Sequence, residues 1–419
     1  MRKQLALILA LATAVVACKK QDGPSVYELN VQLTSDGKAY AAAGIDITVS
    51  DGINDFILAS DAEGKAVFTL PPAAYTIEAS TVKDKYALNG RSSLVLENAG
   101  HSISLNLVKS AISSIVIKEL YNGGCMNNDA SKSYTDDAYI TVYNNSDTEY
   151  DASNLVFGVV GPANAQGDNQ YMVDGELKFE KLGWIPAYSA IWWFTAPVKI
   201  PAYSQITIVC FGAIDHSKTI SRSVNLSNPD FYWMSNNDIQ DVYDNGKYQV
   251  AETISSSHFL SAKPFSQSNA WVLSVSSPAV FIASMSKAEA EALCTDTQGY
   301  DTTLGSYAVC VKFPTSKVLD AIEVWPASDL DESIVRFPLA CNSGHVTLAN
   351  MEGFTLYRNV NKEATEAIPG NAGKLVKGYA DDPSGIDAEA SIKAGAKIVY
   401  LNTNNSARDF HERKVSALK

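Results

Sequence analysis

The 419-residue length of this chain favours two folded units over a single core. Its formal net charge of −13 opposes binding to nucleic-acid phosphates and to anionic lipid headgroups, because no lysine- and arginine-rich run offsets the sign. With 46% hydrophobic and only 19% charged residues, the chain can bury a sizeable core and does not have the composition of a disordered polymer.

Residues 1–17 predict a lipoprotein signal peptide. Arg2 and Lys3 form a positive n-region, residues 5–16 form an apolar segment too short to span a bilayer, and Cys18 follows at the place of a cleavage site. A cysteine there accepts diacylglycerol, so we expect a mature chain that begins at Cys18 and is held to a membrane by lipid, with residues 18–24 as a tether. A secretory signal with an accidental cysteine is the alternative.

Alternating apolar residues predict a small seven-stranded β-sandwich over residues 25–110. The runs have the period of two expected of strands with one buried face, and turn residues separate them. The expected strands are 26–33, 44–49, 56–59, 66–70, 75–79, 93–96 and 103–108. The stretch SDAEGKAVFTLPPAAYTIEAS, residues 60–80, resembles the carboxypeptidase-regulatory-like, transthyretin-related family, although Ala74 stands where that family has glycine. The resemblance implies an Ig-like or transthyretin-like module that serves as a spacer or support.

Residues 111–419 predict a larger β-sandwich domain with long insertions. Residues 115–121 form its first expected strand, and the stretch YTDDAYITVYNNSDTEYDASNLVFG follows at residues 134–158. Within that stretch, tyrosine and threonine at positions 139, 141 and 143 alternate with Ile140 and Val142. We therefore expect one row of side chains to pack inward and the other to face out.

One short helix is expected in this β-rich domain. Ser286 can cap it, with Glu289 completing a capping box and Ala288, Ala292 and Leu293 forming the apolar side. Residues 360–397 are expected to be irregular and to lead to a final strand at 398–401. The five cysteines that follow Cys18 allow one or two disulfides, whose connectivity cannot be deduced from the sequence.

The large domain carries several stretches that resemble one protein family. They are IKELYNGG, DDAYITVYNNSD, AWVLSVSSPAVFIA, FPTSKVLDAIEVW and the tail DPSGIDAEASIKAGAKIVYLNTNNSARDFHER. Together they resemble a Bacteroidota lipoprotein family known as domain of unknown function 4876, from about residue 112 onward, and they are distantly similar to lamin-tail-like Ig sandwiches. The resemblance implies a surface or periplasmic lipoprotein and carries over no activity.

The sequence predicts no catalytic residues. His216 beside Asp215, and His345 after an Asn-Ser-Gly turn, are the best material for a nucleophilic site, and surface loops explain both more simply. Paired carboxylates such as Asp136 and Asp137 could serve glycosidic hydrolysis only if they faced each other across a cleft.

One segment has calcium-loop spacing. Asp241, Asn245 and Glu252, around a glycine at 246, match four positions of an EF-hand loop. An ordinary Asp-Asn-Gly hairpin turn explains the same residues. The sequence predicts no cofactor, with calcium in this loop as the alternative.

An aromatic cluster offers a candidate ligand platform. Trp192 and Trp193 are neighbours on one expected strand and must point to opposite faces, and Tyr232 and Trp233 follow within fifty residues. An exposed ring could stack on a sugar or hold a peptide. The alternative is a sandwich core with a second covered face.

These observations favour a non-enzymatic protein of the outer membrane, lipid-anchored and exposed on the cell surface. The expected role is an accessory component that binds a soluble ligand, such as a glycan, a peptide or a partner protein, beside a TonB-dependent nutrient transporter or another envelope protein. A structural or adhesive envelope protein is the alternative, followed by a hydrolase built from dispersed residues.

Overall fold

The computed structural model describes residues 25–234, 247–266, 273–306 and 308–419. The chain is mostly β-sheet, as the sequence predicts, and it contains only four short α-helices within this part. No helix among the described residues is both long and apolar enough to cross a membrane. Cys18 and its tether lie outside the described residues.

The N-terminal region is a sandwich of two small sheets. Its strands are β1 (Tyr27–Ser35), β2 (Lys38–Ala39), β3 (Asp46–Ser50), β4 (Asp55–Ala59), β5 (Lys65–Leu70), β6 (Ala73–Lys83), β7 (Tyr86–Leu96), β8 (His101–Asn106) and β9 (Val108–Ala111). One sheet has the order β2-β1-β5, with β8 parallel to β1, and the other has the order β4-β3-β6-β7-β9. The inward-facing residues of both sheets, among them Leu29, Ile47, Phe68 and Ile77, form one core.

All seven expected strands of this sandwich are present. The run expected at 103–108 is divided at Leu107, whose buried side chain marks the point where the chain leaves the first sheet for the second. The short β2 is an addition that alternation did not reveal, since it contains only two residues.

The chain enters this sandwich at one end and leaves it at the other. Tyr27 pairs with Leu70, just before the turn into β6, whereas Ala111 pairs with Tyr86, just after the turn out of β6. We call these the entry end and the exit end. β6 has 11 residues, so about 35 Å separates the two ends.

The C-terminal region is built on a 14-stranded sheet with added hairpins and helices. Its strands are β10 (Ile115–Tyr121), β11 (Cys125–Met126), β12 (Ser133–Tyr134), β13 (Tyr139–Asn144), β14 (Tyr150–Asp151), β15 (Leu155–Val160), β16 (Met172–Val173), β17 (Glu176–Leu177), β18 (Trp184–Phe194), β19 (Lys199–Ile200), β20 (Gln205–Val209), β21 (Tyr232–Met234), β22 (Phe259–Pro264), β23 (Ala279–Ser284), β24 (Tyr300–Asp301), β25 (Cys310–Pro314), β26 (Val318–Pro326), β27 (Val346–Leu348), β28 (Thr355–Arg358), β29 (Val376–Lys377), β30 (Ile386–Asp387) and β31 (Phe410–Arg413). The helices are α1 (Lys287–Thr295), α2 (Lys362–Glu366), α3 (Ala388–Lys393) and α4 (Ser406–Asp409).

The large sheet folds back on itself. Its order is β27-β26-β23-β15-β18-β22-β21-β20-β13-β10-β28-β31, with β25 paired to β18 and β24 to β25. The two ends meet where Ala349 N, just after β27, donates to Glu412 Oε2 on β31 at 2.6 Å. Arg358 on β28 adds buried ion pairs with Asp320 of β26 and, at 3.3 Å, with Asp409. The inner surface thus encloses the largest core of the molecule.

The outer face of the large sheet is covered as well. On β13, Ile140 and Val142 pack into the inner core, and Tyr139 and Tyr143 belong to two separate outer clusters. The alternation expected here is present, but every residue of β13 is buried. The expectation that one row faces solvent is wrong because insertions from the rest of the domain pack over that row.

The helix α1 begins at the expected cap, but the side of the helix that is buried differs from the expected one. Ser286 and Glu289 form both halves of the capping box. The buried residues are Ala290 and Cys294, four positions apart, whereas Ala288 and Ala292 are exposed. The residues 360–397 hold α2, α3 and a hairpin instead of irregular chain, and 398–401 form no strand beyond a single bridge.

The five described cysteines form no disulfide. All of them are free and buried: Cys125, Cys210, Cys294, Cys310 and Cys341. Burial raises the pKa of the Cys125 thiol to about 11 and that of Cys294 to about 12. The disulfides that the sequence allows are therefore absent from this part of the chain, and these thiols behave as small apolar side chains.

Candidate functional site

The aromatic residues named as a candidate ligand platform are packed inside the large domain, as the alternative of a sandwich core predicts. Trp192 and Trp193 point to opposite faces of β18, but the first is 1% exposed in the inner core and the second is 3% exposed in an outer cluster. Trp233 is 2% exposed and donates its indole N–H to Phe211 O at 2.6 Å. Only Tyr232 is half-buried. The tryptophans offer no free ring face, because the sheet is covered on both sides.

The calcium-loop segment is mostly beyond the described part of the chain. Asp241 and Asn245 lie outside the described residues, and Glu252 is exposed. Within the described ranges, no group of three or more His, Cys, Asp or Glu side chains could hold a metal ion. A calcium site at 241–252 stays a prediction.

His216 is the centre of a buried cluster that joins separate stretches of the chain. Its Nδ1 lies 2.5 Å from the Tyr134 hydroxyl, and its Nε2 lies 2.6 Å from Gly212 O. The tautomer protonated on Nε2 satisfies both contacts, with the tyrosine donating to Nδ1. The ring is 1% exposed, and both of its nitrogens are engaged by groups of the protein itself.

The neighbouring carboxylates, Asp136 and Asp137, point to different surroundings. Asp137 is fully buried, and its Oδ2 accepts hydrogen bonds from the hydroxyls of Ser223 and Tyr121. Burial raises the pKa of Asp137, and the Ser223 hydrogen bond opposes that shift. Asp136 lies 3.9 Å from Lys247 Nζ. One carboxylate of the pair is thus held inside the protein by hydroxyl groups, and the other lies beside a lysine.

His345, the second candidate base, stacks on Trp325. Their ring centroids are 3.6 Å apart and nearly parallel. Burial, together with the positive charge of Arg91, lowers the pKa of His345 to about 4. The preceding Asn342 donates to Gly344 O and accepts from the Ser406 hydroxyl, so the Asn-Ser-Gly turn holds two loops together.

The two domains contact each other along β7. Asn89 is fully buried there and donates from Nδ2 to Thr403 O at 3.0 Å and Asn404 O at 3.1 Å. Asn404 in turn donates to the Ser110 hydroxyl at 2.8 Å. Arg408 reaches the backbone of β6 at 2.7 Å. The segment 403–408 is therefore held firmly against the first domain.

Farther along β7 the domains diverge around a cleft of about 740 Å³. The first-domain wall carries hydroxyl and amide groups, and the wall formed by the β16–β17 hairpin and its flanks carries carboxylates and the amine of Lys181, which pairs with Glu176. The residues that supply them are Thr76, Ser93 and Asn106 on one side and Asp174, Glu176 and Glu180 on the other. Clefts between domains that combine apolar surface with a few polar groups are common ligand sites.

Arg91 is the cleft residue with the most electrostatic neighbours. It lies opposite Glu78 on β6, and its charge acts on the pKa values of Glu78, Glu180 and His345. Burial raises the pKa of Glu180, although that carboxylate accepts a hydrogen bond from Leu339 N at 2.8 Å. Arg91 lines the cleft, and its guanidinium makes no hydrogen bond to another described residue.

Comparison with known proteins supports the fold. The family model described as "Protein of unknown function (DUF4876)" matches residues 204–417. A solved DUF4876 family protein from Bacteroides thetaiotaomicron VPI-5482 is similar over 92% of this chain and 94% of that chain, with 17% identity and a TM-score of 0.51. No curated protein matches the chain significantly.

Two further solved structures are similar at a lower level. A DUF3823 family protein from Parabacteroides merdae ATCC 43184 has 13% identity and a TM-score of 0.19, over 44% of this chain and 96% of that chain. The Bacillus anthracis TIE protein has 13% identity and a TM-score of 0.19, over 42% of this chain and 29% of that chain. At this level of similarity, neither structure indicates a function for this chain.

Proposed function

This chain belongs to the DUF4876 family of proteins of unknown function, and from that premise we propose that it is a non-catalytic binding lipoprotein of the cell envelope. In this proposal, lipid on Cys18 anchors the protein to the outer membrane at the cell surface. The cleft between the domains binds a soluble, hydroxyl-rich ligand such as a short glycan. The protein then serves as an accessory component of a TonB-dependent transporter.

The path of the chain through the first domain supports the anchored arrangement. The chain enters at one end and leaves about 35 Å away at the other. A module of this kind places the second domain, and the cleft at its border, at a distance from an N-terminal attachment point. This geometry fits a spacer better than a second binding unit.

The cleft is the observation that carries the proposal. Its walls present hydroxyls, an amide and carboxylates, and the half-buried Arg91 adds a guanidinium. Sugar hydroxyls can donate to the carboxylates and accept from the guanidinium, so a neutral polar ligand can use both walls. Of the two histidines named as candidate catalytic bases, His216 is hydrogen-bonded at both ring nitrogens and His345 is stacked on Trp325. These contacts favour binding over hydrolysis as the role of the protein.

The lipid anchor is tested by metabolic labelling with palmitate. We expect label in the wild-type protein and none in Cys18→Ala, because the thiol at that position is the acceptor. Protease treatment of intact cells would then report the side of the membrane. An unlabelled wild-type protein would refute the anchor.

The cleft is tested by calorimetric titration of the mature protein with short oligosaccharides and, separately, with dipeptides. We expect one oligosaccharide class to bind and Arg91→Met to weaken its affinity about tenfold, the loss of roughly one charged hydrogen bond. The matched control is Arg222→Met, since Arg222 is exposed and does not line the cleft. Equal affinities in the two variants would remove the cleft from the proposal. A folded protein that binds no member of either panel would favour the structural or adhesive role.

The transporter link is tested by crosslinking in intact cells followed by purification of the protein under denaturing conditions. A TonB-dependent transporter among the crosslinked products supports the accessory role. Repeated recovery of the uncrosslinked chain alone contradicts it.

A further inference from the structure

The entry end of the first domain carries exposed apolar side chains on adjacent loops. Ile53 is 91% exposed and Val26 is 51% exposed, and Pro71, Pro72 and Ala99 are exposed beside them. We call these five residues the entry-end patch. Strand register places them together, since the chain start, the β3–β4 turn, the β5–β6 turn and the β7–β8 turn all lie at this end.

Ile53 is held outward by an ordered turn. Asp51 Oδ1 accepts hydrogen bonds from Ile53 N at 2.9 Å and from Asn54 N at 2.6 Å, and Oδ2 accepts from the Asn54 amide at 3.1 Å. These hydrogen bonds lower the pKa of Asp51, so the carboxylate that organises the turn stays ionised at neutral pH. An isoleucine displayed on such a turn loses little conformational entropy when something covers it.

The opposite end of the same domain has a different surface. Its turns present charged side chains of both signs, together with the exposed Val82 and Tyr86: Asp36, Lys38, Glu63, Asp84 and Lys85. Scattered apolar residues are ordinary on a protein surface, but Ile53 is the most exposed large hydrophobic side chain of the described residues, and it lies at the end where the chain enters the domain.

We propose that the entry-end patch rests on the surface of the bilayer that holds the Cys18 lipid. The inference rests on the lipid attachment in the proposed function. Residues 19–24 are the only chain between that cysteine and the described domain, and six residues reach at most about 25 Å. The chain then enters the sandwich beside these loops, at Tyr27. The patch therefore cannot move far from the membrane surface.

The charges at this end select the kind of lipid surface. Glu28, Asp51, Asp55 and Glu97 surround the patch, and the described loops of the entry end contain no lysine or arginine. Anionic headgroups would be repelled, so the contact suits zwitterionic headgroups, with Ile53 at the boundary of the acyl chains. The first domain then stands upright and carries the cleft away from the membrane.

The test uses the full acylated protein in phosphatidylcholine vesicles, with a nitroxide attached at Ile53→Cys. The native thiols that follow Cys18 are buried and free, so the label goes to the new cysteine. Leu182→Cys is the matched control, because Leu182 is an apolar residue of the second domain that is 60% exposed. We expect relaxation by water-soluble nickel to fall several-fold at position 53 on vesicle attachment and to stay unchanged at position 182.

The outcomes separate this inference from the anchor itself. A wild-type protein that does not attach to vesicles refutes the lipid attachment. An attached protein in which position 53 remains as accessible to nickel as position 182 refutes the membrane contact alone. Protection of position 53 without vesicles would show that a second copy of the chain covers the patch, which also overturns the proposal.

Discussion

At the residue scale, the stability of the large domain depends on charged side chains that are buried away from water. Arg336 and Glu323 are the clearest case, with side chains that are 0% and 1% exposed and an Nη2 to Oε1 distance of 2.6 Å. Arg336 also donates to the backbone oxygens of Pro162 and Ala163, and so ties the loop after β15 to β26. Such a pair is costly to break, because the partner left behind is a buried charge without compensation.

We predict that Arg336→Met destabilises the protein by about 3–5 kcal/mol, measured as the free energy of unfolding in urea. Adding Glu323→Gln to it should recover part of that loss, since no buried charge remains. The control is Lys181→Met, which removes an exposed pair with Glu176 and should cost less than about 1 kcal/mol. Similar losses in the two single variants would show that the buried pair is not critical.

His345 makes the stability of the folded protein depend on pH. Its folded-state pKa of about 4 lies below the ordinary value of 6.5, so the unfolded chain binds a proton first as pH falls. The stability that the neutral ring contributes is full above pH 6.5 and is lost toward pH 4. The loss should amount to about 1–3 kcal/mol.

We expect His345→Phe, which keeps a ring on Trp325, to reduce the difference in unfolding free energy between pH 7 and pH 4.5. Urea unfolding at the two pH values measures it. His101→Phe is the control, because His101 is exposed. If both variants show the wild-type difference, the stacked ring is not responsible for it.

At the scale of elements, α1 shows how a short motif sets a boundary. Ser286 Oγ accepts a hydrogen bond from Glu289 N, and the Glu289 carboxylate accepts one from Ser286 N. Those hydrogen bonds and Lys317 lower the pKa of Glu289 to about 2, so the capping box persists well into acid.

We predict that Ser286→Ala lowers the unfolding free energy by about 1 kcal/mol and speeds hydrogen exchange at the Glu289 amide. Ala292→Ser, exposed on the same helix, is the comparison and should leave that amide protected. Unchanged exchange in Ser286→Ala would mean that packing alone holds the first turn.

The elements that sequence could predict are those whose pattern is local. Strands of the first sandwich and the capping box follow from alternation and from an S-x-x-E spacing. Helices α2 and α3 were missed although Asn361 and Asp387 cap them, because a lone cap without apolar periodicity is a weak signal. The covered face of β13 was missed for another reason, since the residues that pack on it come from distant insertions.

At the scale of the whole molecule, the relation between the domains depends on a few buried polar contacts. We predict that Asn89→Ala, which removes the donors to Thr403 O and Asn404 O, separates the thermal unfolding of the first domain from that of the second. Calorimetry would show two transitions in place of one. Asn98→Ala, exposed at the entry end, should keep the wild-type profile. A single transition in Asn89→Ala would show that other contacts couple the domains.

The cleft could not have been predicted from the sequence. Arg91 and Glu180 are ordinary charged residues in their own segments, and only the packing of β7 against the second domain brings them to one cavity. The aromatic cluster is a stronger local signal, but it does not line the cleft. A sequence cannot distinguish a buried tryptophan from an exposed one. The histidines were recognised, but their partners, Tyr134 and Trp325, were not.

The closing strand of the large sheet also has a consequence for how the chain is made. β31 lies at residues 410–413, yet it pairs with β28 and meets the end of β27, and nearby Asp409 binds Arg358. The second domain therefore cannot complete its sheet until almost all of its chain has been synthesised, whereas the first domain has its last strand by residue 111. A nascent chain should thus carry a finished first domain and an unclosed second one for most of its synthesis, the interval in which aggregation is the greatest risk.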